Sequence, residues 1–298
     1  MRFLDGEAVA AFGAAAAVRA ITDALRGGLD PAADPPRSAV GLTRGQFLLM
    51  PSEASTGAGV KVVTVAPDNP AHGLPRIQAT YLLFDRATLA RRTVLDGTAL
   101  TTLRTPAVSV AAVLPRLPDR PLRVTVIGAG PQATGHVATL AAVRPVERAT
   151  YLVRDPSRTA EEAARLGSRR ADEALRSADV VVCATSARAP LFDSALLRGD
   201  VVVIAVGSHE PDARELDARL LGRATVVVED VATALREAGD VVMAIADGTL
   251  AAGDLLPMRD LLTGVVAVPD DTPLVFKSVG MSWQDLVVAT AVLEHDRG

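Results

Sequence analysis

The chain has 298 residues, more than one typical domain carries, so two domains or one inserted in another are expected. Apolar residues make up 49% but Phe, Trp and Tyr only 3%, so a large core must be built from Ala, Val and Leu, as βαβ layers allow. A net charge of −4 leaves no basic face for nucleic acid, no apolar run reaches membrane-spanning length, and the N-terminus lacks a signal-peptide pattern. The lone Cys183 supplies neither a disulfide framework nor a thiolate metal site, and a reducing cytoplasm fits best.

Residues 6–26 read as one helix, and Gly27 to Pro36 as a Gly/Pro/Asp connector. Extended segments are expected at Phe47 to Met50, Gly59 to Ala66, Ile77 to Phe84 and Arg91 to Leu95, divided by the Pro67-Asp-Asn-Pro70 and Gly73-Leu-Pro75 turns. A helix from Thr98 to Leu114 follows. The pattern then changes to apolar strand, turn and helical stretch, with strands at Val124 to Ile127, Ala149 to Val153, Val180 to Ala184, Val201 to Val206 and Thr225 to Val228, and Val265 to Val268 as the last. Short Val-rich runs of this kind build a parallel sheet covered on both faces, a doubly wound Rossmann α/β fold. The helix at Ser282 to Glu294 has an apolar face in need of a partner, and its return to the first domain would make that domain discontinuous. The predicted division is an α+β domain at 1–118 completed by 275–298, and a Rossmann domain at 119–274.

The stretch Val124-Thr-Val-Ile-Gly-Ala-Gly-Pro-Gln-Ala133 runs from a strand into Gly128-x-Gly130-x-x-Ala133 and then into helical sequence, the context a dinucleotide pyrophosphate requires. Gly128 permits a tight turn and Gly130 lets the backbone approach the phosphates. Pro131 and Gln132 open a helix whose first amides face the anion, and small Ala133 lets that helix lie close to the sheet. After the second strand, Arg154, Ser157 and Arg158 would neutralise a 2′-phosphate, which favours NADPH; NADH stays open because a one-residue shift makes Asp155 the ribose acid. Of 31 basic residues only Lys61 and Lys277 are lysines, so a position holding Lys either needs a compact, titratable ammonium or is a surface survivor. Lys61, in Gly59-Val-Lys-Val-Val63, falls on a strand. His209 follows a strand at its carboxyl end, where open sheets bind ligands, whereas His72, His136 and His295 lack such context. No His/Asp/Glu spacing suggests a metal site.

The segments Gly59-Val-Lys-Val-Val63, Pro67-Asp-Asn-Pro-Ala-His-Gly-Leu-Pro75, Leu100-Thr-Thr-Leu-Arg-Thr-Pro-Ala-Val-Ser109, the Gly128 loop and Phe276-Lys-Ser-Val-Gly280 occur in this order. Together they resemble the ornithine cyclodeaminase/mu-crystallin family over nearly the whole chain. The resemblance implies a Rossmann domain joined to a substrate-binding and dimerisation domain that takes the C-terminal helix, in a homodimer, with a nicotinamide acting at the α-carbon of an amino or imino acid. Matched residue by residue, Arg37 and Arg104 take the places of two carboxylate-binding arginines and Lys61 that of the active-site lysine. Ser278 and Gly280 would line the nicotinamide side. Arginine forks suit a planar carboxylate, and a lysine adds a point charge or a proton.

Two departures bear on the reaction. Where cyclodeaminases of the family carry acids, this chain has Leu48 and His209. Cyclodeamination must eject ammonia, whereas imine reduction asks only for a hydride at carbon and a proton at nitrogen, from Lys61 or His209. The expectation is therefore NAD(P)H-dependent reduction of an α-imino acid, a cyclic ketimine such as Δ1-pyrroline-2-carboxylate or its six-membered homologue. The alternatives are an ornithine cyclodeaminase, an alanine-type amino acid dehydrogenase, or, from another class, a crystallin-like protein that holds NADPH without turnover.

Overall fold

A computed structural model describes residues 2–297. The chain divides into two compact units, Met1–Val108 with Met281–Gly298, and Ser109–Gly280. The sequence-based division differs, at 118/119 and 274/275; the helix Gly97–Val113 runs across the first boundary.

The first unit contains Arg2–Leu4 (β1), Gly6–Ala11 (α1), Ala14–Arg26 (α2), Ser38–Leu42 (β2), Gly45–Ala54 (β3), Gly57–Val65 (β4), Ile77–Phe84 (β5), Arg91–Asp96 (β6) and the start of Gly97–Val113 (α3). Among the described residues these strands form one six-stranded sheet ordered β1-β6-β5-β4-β3-β2, antiparallel except for the β1 and β6 pair. The single helix expected over 6–26 is two. Gly13, at φ +83°, takes a backbone conformation that other residues rarely adopt, and the chain turns there between α1 and α2. The C-terminal helix, α10 in chain order (Ser282–His295), is buried almost throughout, against β3, β4, β5 and α2.

Strand alternation sorts the sheet into two faces. In β4, Gly57, Gly59, Lys61 and Val63 are buried, while Val60 and Val62 between them are half-buried. Met50, Lys61 and Tyr81 lie side by side on β3, β4 and β5, so one level of the buried face carries an ammonium beside a phenol.

The second unit contains Leu122–Ile127 (β7), Pro131–Val143 (α4), Val146–Val153 (β8), Ala163–Arg165 (β9), Arg169–Ser177 (α5), Val180–Cys183 (β10), Val202–Ala205 (β11), Ala218–Arg223 (α6), Thr225–Val228 (β12), Val231–Glu237 (α7), Gly239–Ala246 (α8), Leu255–Pro257 (β13), Met258–Leu262 (α9) and Leu274–Lys277 (β14). Among the described residues its eight strands form a parallel sheet in the order β13-β12-β14-β11-β10-β7-β8-β9. The chain winds outward from β7 through β8 and β9, then returns to β10 on the other side, so the strand order switches at β7. The strand expected at Val265 to Val268 is a correction: that segment is irregular, and Val265 is 73% exposed. It follows Gly264, at φ +75°, and runs into Pro269, whereas Leu274–Lys277 is buried at all four positions between β11 and β12. Among the described residues no helix is long and apolar enough to cross a membrane.

Candidate active site

In the first unit, Lys61 is 2% exposed, and its Nζ donates to Asp285 Oδ2 at 2.7 Å and to Thr101 Oγ1 at 3.3 Å. Arg104, nearly one turn beyond Thr101 on α3, donates from Nε to Asp285 Oδ1 at 3.2 Å and from Nη1 to Gln284 Oε1 at 2.6 Å. One fully buried carboxylate thus spans two cations. Asp285 lies in the first turn of α10, where the helix dipole favours a negative charge. Burial pushes the Lys61 ammonium down to about 8; Asp285 pulls it back up, while Arg104 and Arg37 push it down. Arg37, half-buried, is therefore close enough to act on Lys61.

A second carboxylate, Asp34, accepts the Trp283 amide at 2.8 Å, and burial together with the nearby Asp285 charge pushes it up to about 6. Lys61, Arg104 and Arg37 thus gather on one side of the first unit, donors of the kind that suits a small anion. Tyr81 is fully buried, and burial, Asp285 and Asp34 all hold its phenol well above the ordinary range, so it stays neutral. Its hydroxyl lies over Gly59, where a Cβ would stand only 2.1 Å away.

In the second unit, Gly128 has φ +110°, and a Cβ there would approach the Ala184 carbonyl to 2.6 Å, so only glycine closes this turn. A Cβ at Gly130 would meet nothing within 4 Å. Gly130 caps α4 without a side chain, Pro131 occupies its first turn, and Ala133 is fully buried. In α5, α6 and α7, by contrast, Ser168, Asp217 and Asp230 cap the helix. α4 thus starts on a glycine with no side-chain cap, and the loop fits a dinucleotide pyrophosphate. Further along α4, His136 donates from Nδ1 to the Gln132 carbonyl at 2.7 Å and accepts from Ser109 Oγ at Nε2, at 3.0 Å. Burial pushes this imidazole down to about 4, so it is a neutral core histidine.

Arg154, Ser157 and Arg158 are exposed on the turn after β8. Asp155 Oδ1 accepts from the Ser157 amide at 3.1 Å and its hydroxyl at 2.7 Å, bonds that, with Arg158 and Arg165, hold this carboxyl below its usual value. His209 is exposed on the loop after β11. Ser278 is buried and donates its hydroxyl to Glu229 Oε1 at 2.8 Å, while the Gly280 amide donates to both oxygens of the same carboxylate, at 3.2 and 3.1 Å.

A sequence profile of the ornithine cyclodeaminase/mu-crystallin family matches residues 9–298. The chain belongs to this family. It is 36% identical over 267 residues to Δ1-pyrroline-2-carboxylate reductase 2 of Burkholderia ambifaria, a match covering 85% of this chain and 83% of the relative. It is 35% identical over 260 residues to the Δ1-pyrroline-2-carboxylate/Δ1-piperideine-2-carboxylate reductase of Azospirillum brasilense, covering 85% and 81% respectively. Among solved structures, Thermococcus litoralis Δ1-pyrroline-2-carboxylate reductase in complex with NADH and L-proline matches with a TM-score of 0.86 at 26% identity, over 99% of this chain and 98% of that one.

In this member of the ornithine cyclodeaminase/mu-crystallin family, Lys61 and Arg104 meet at Asp285, an acid that the sequence reading passes over as part of an apolar helix. Its signal was available: a carboxylate in the first turn of a helix otherwise suited to burial needs a partner. Glu215, Asp240 and Glu229, buried in the second unit, were missed as well. Lys277 is no surface survivor, since its side chain is 0% exposed and pairs with Asp240.

Proposed function

We propose that this protein reduces a cyclic α-imino acid, Δ1-pyrroline-2-carboxylate or its six-membered homologue, to the corresponding cyclic amino acid with NAD(P)H. The observation that carries this reading is the buried Lys61, Asp285 and Arg104 arrangement, two cations fixed on one carboxylate with the lysine pushed down to about 8. Asp285 and Gln284 take Nε and Nη1 of Arg104 and so fix the plane of its guanidinium. Arg104 and Arg37 bind the substrate carboxylate, and the ring is held by that anchor.

When bound, the reduced nicotinamide supplies a hydride to the imine carbon. The nitrogen must gain one proton, so that the C=N bond becomes CH–NH. Lys61 gives that proton from its ammonium and is left as an amine, still hydrogen-bonded within the cluster and recharged from solvent. His209 is the competing donor. With Leu48 and His209 at the positions of two acids, the chain lacks the carboxylates that would manage the second amine of a diamino acid.

The residues around the Gly128 turn, Gly130, Pro131, Gln132 and Ala133, hold the pyrophosphate. Arg154, Ser157 and Arg158 receive a 2′-phosphate, and NADPH is preferred over NADH because two exposed guanidinium groups stand on the turn after β8. Ser278 and Gly280 shape the nicotinamide side. Steady-state oxidation of NADPH with the five- and six-membered imino acids tests the assignment, and turnover of at least one is expected. Proline formed only from ornithine, or tight NADPH binding with no turnover, would remove it.

A further inference from the structure

Lys277 has no part in the chemistry above, yet it is buried as deeply as Lys61. It ends β14, forms an ion pair with Asp240 Oδ2 at 2.9 Å and donates to the Ser208 carbonyl at 2.6 Å. The other oxygen of Asp240 accepts the amides of Glu215 and Leu216, both at 2.8 Å. Glu215, equally sealed from water, accepts the Thr185 amide at 2.8 Å and hydroxyl at 2.7 Å through Oε1, and the Gly207 amide at 2.8 Å through Oε2.

Thr185 follows β10, Gly207 and Ser208 follow β11, and Lys277 ends β14, and these three strands are neighbours in the sheet. The loops after β10 and β11 touch, since a Cβ on Gly207 would lie 2.0 Å from the Thr185 carbonyl. One ammonium and two carboxylates are costly to bury, and apolar side chains would fill the same space with less penalty. What the charges provide is geometry: three of their contacts end on the Thr185, Gly207 and Ser208 backbone at one edge of the sheet, and two more on the Glu215 and Leu216 amides. That edge is the carboxyl end of the parallel strands, where such folds bind ligands. It belongs to the half of the sheet across the switch point from the half carrying β8 and β9.

We propose that Lys277, Asp240 and Glu215 form a positioning device that fixes the backbone against which the nicotinamide half of the dinucleotide rests, with Lys277 as a positioning residue for the reduction. This rests on the assignment of a nicotinamide dinucleotide to the Rossmann crevice.

The test is the joint change Lys277→Met with Asp240→Asn, which removes both members of the ion pair, leaves Glu215 its Thr185 and Gly207 donors, and keeps an oxygen for the Glu215 and Leu216 amides. Two ligands are compared, NADPH and 2′-phospho-ADP-ribose, which lacks the nicotinamide ring. Affinity for the fragment is expected to stay within about twofold of wild type, while emission of the bound dihydronicotinamide moves toward that of free NADPH and kcat falls about 100-fold, the scale of a small misplacement of reacting groups. Unchanged emission, or loss of fragment affinity in step with it, overturns the proposal. If the double variant does not fold, Asp240→Asn alone, which breaks the ion pair with Lys277 while keeping an oxygen for the Glu215 and Leu216 amides, is held to the same comparison. A wild-type protein that binds NADPH but reduces no imino acid would remove the proposed reaction and leave the emission comparison standing.

Discussion

Lys61 carries a proton at neutral pH and yields it near pH 8, because burial, Arg104 and Arg37 together outweigh the pull of Asp285. As the proposed proton donor it is lost as pH rises through its pKa, so log kcat is expected to be level below about 8 and to fall with unit slope above it. Lys61→Ala should lower kcat by about 100-fold or more, the usual worth of a positioned proton donor, and abolish that limb while NADPH affinity is retained. Equal loss of both would make the lysine structural. A donor at His209 would instead leave a limb that survives Lys61→Ala.

The start of α10 joins stability to the site, because Asp34 receives the Trp283 amide from outside the helix while Asp285 stands in its first turn. The folded pKa of Asp34, about 6, lies above its ordinary 3.8, so its contribution to stability is fully present only below the lower value and is lost as pH rises through the higher one. Asp34→Asn keeps an acceptor for the amide and carries no charge. It should unfold at a higher temperature than wild type at neutral pH, by on the order of 1 kcal/mol after solvent screening, with the gain vanishing in acid. Thermal melts across pH check this; a variant less stable at neutral pH would contradict it.

Elements with a clear period were legible in the sequence: Ile77–Phe84 and Thr225–Val228 lie where alternation and Val runs put them. β2 left no pattern because all five of its residues are exposed, and an apolar run at Val265 to Val268 mimicked a strand that β14, ending in a charged residue, disguised. At the site, the scarcity of lysine pointed to Lys61. Its partner Asp285 is 224 positions away, beyond the reach of any local period.

At the scale of the molecule, the sheet face opposite α10 carries Phe47, Leu49, Val60, Val62 and Leu82, all half-buried, and the edge strand adds Val40 at 48% exposure. An apolar sheet face of this extent suits a second copy of the chain, and the protein is proposed to be a homodimer. Sedimentation should give twice the 30.9 kDa of one chain, and glutamates replacing Leu49 and Val62, which pair across β3 and β4, should shift it to a single chain. A monomeric wild type would refute the dimer. The proposed reaction depends on a hydride reaching the α-carbon of an imine anchored by its carboxylate. With NADPH dideuterated at nicotinamide C4 and Δ1-pyrroline-2-carboxylate as substrate, the protein should release proline bearing a single deuterium at Cα; proline without label there, or no proline, would contradict the assignment.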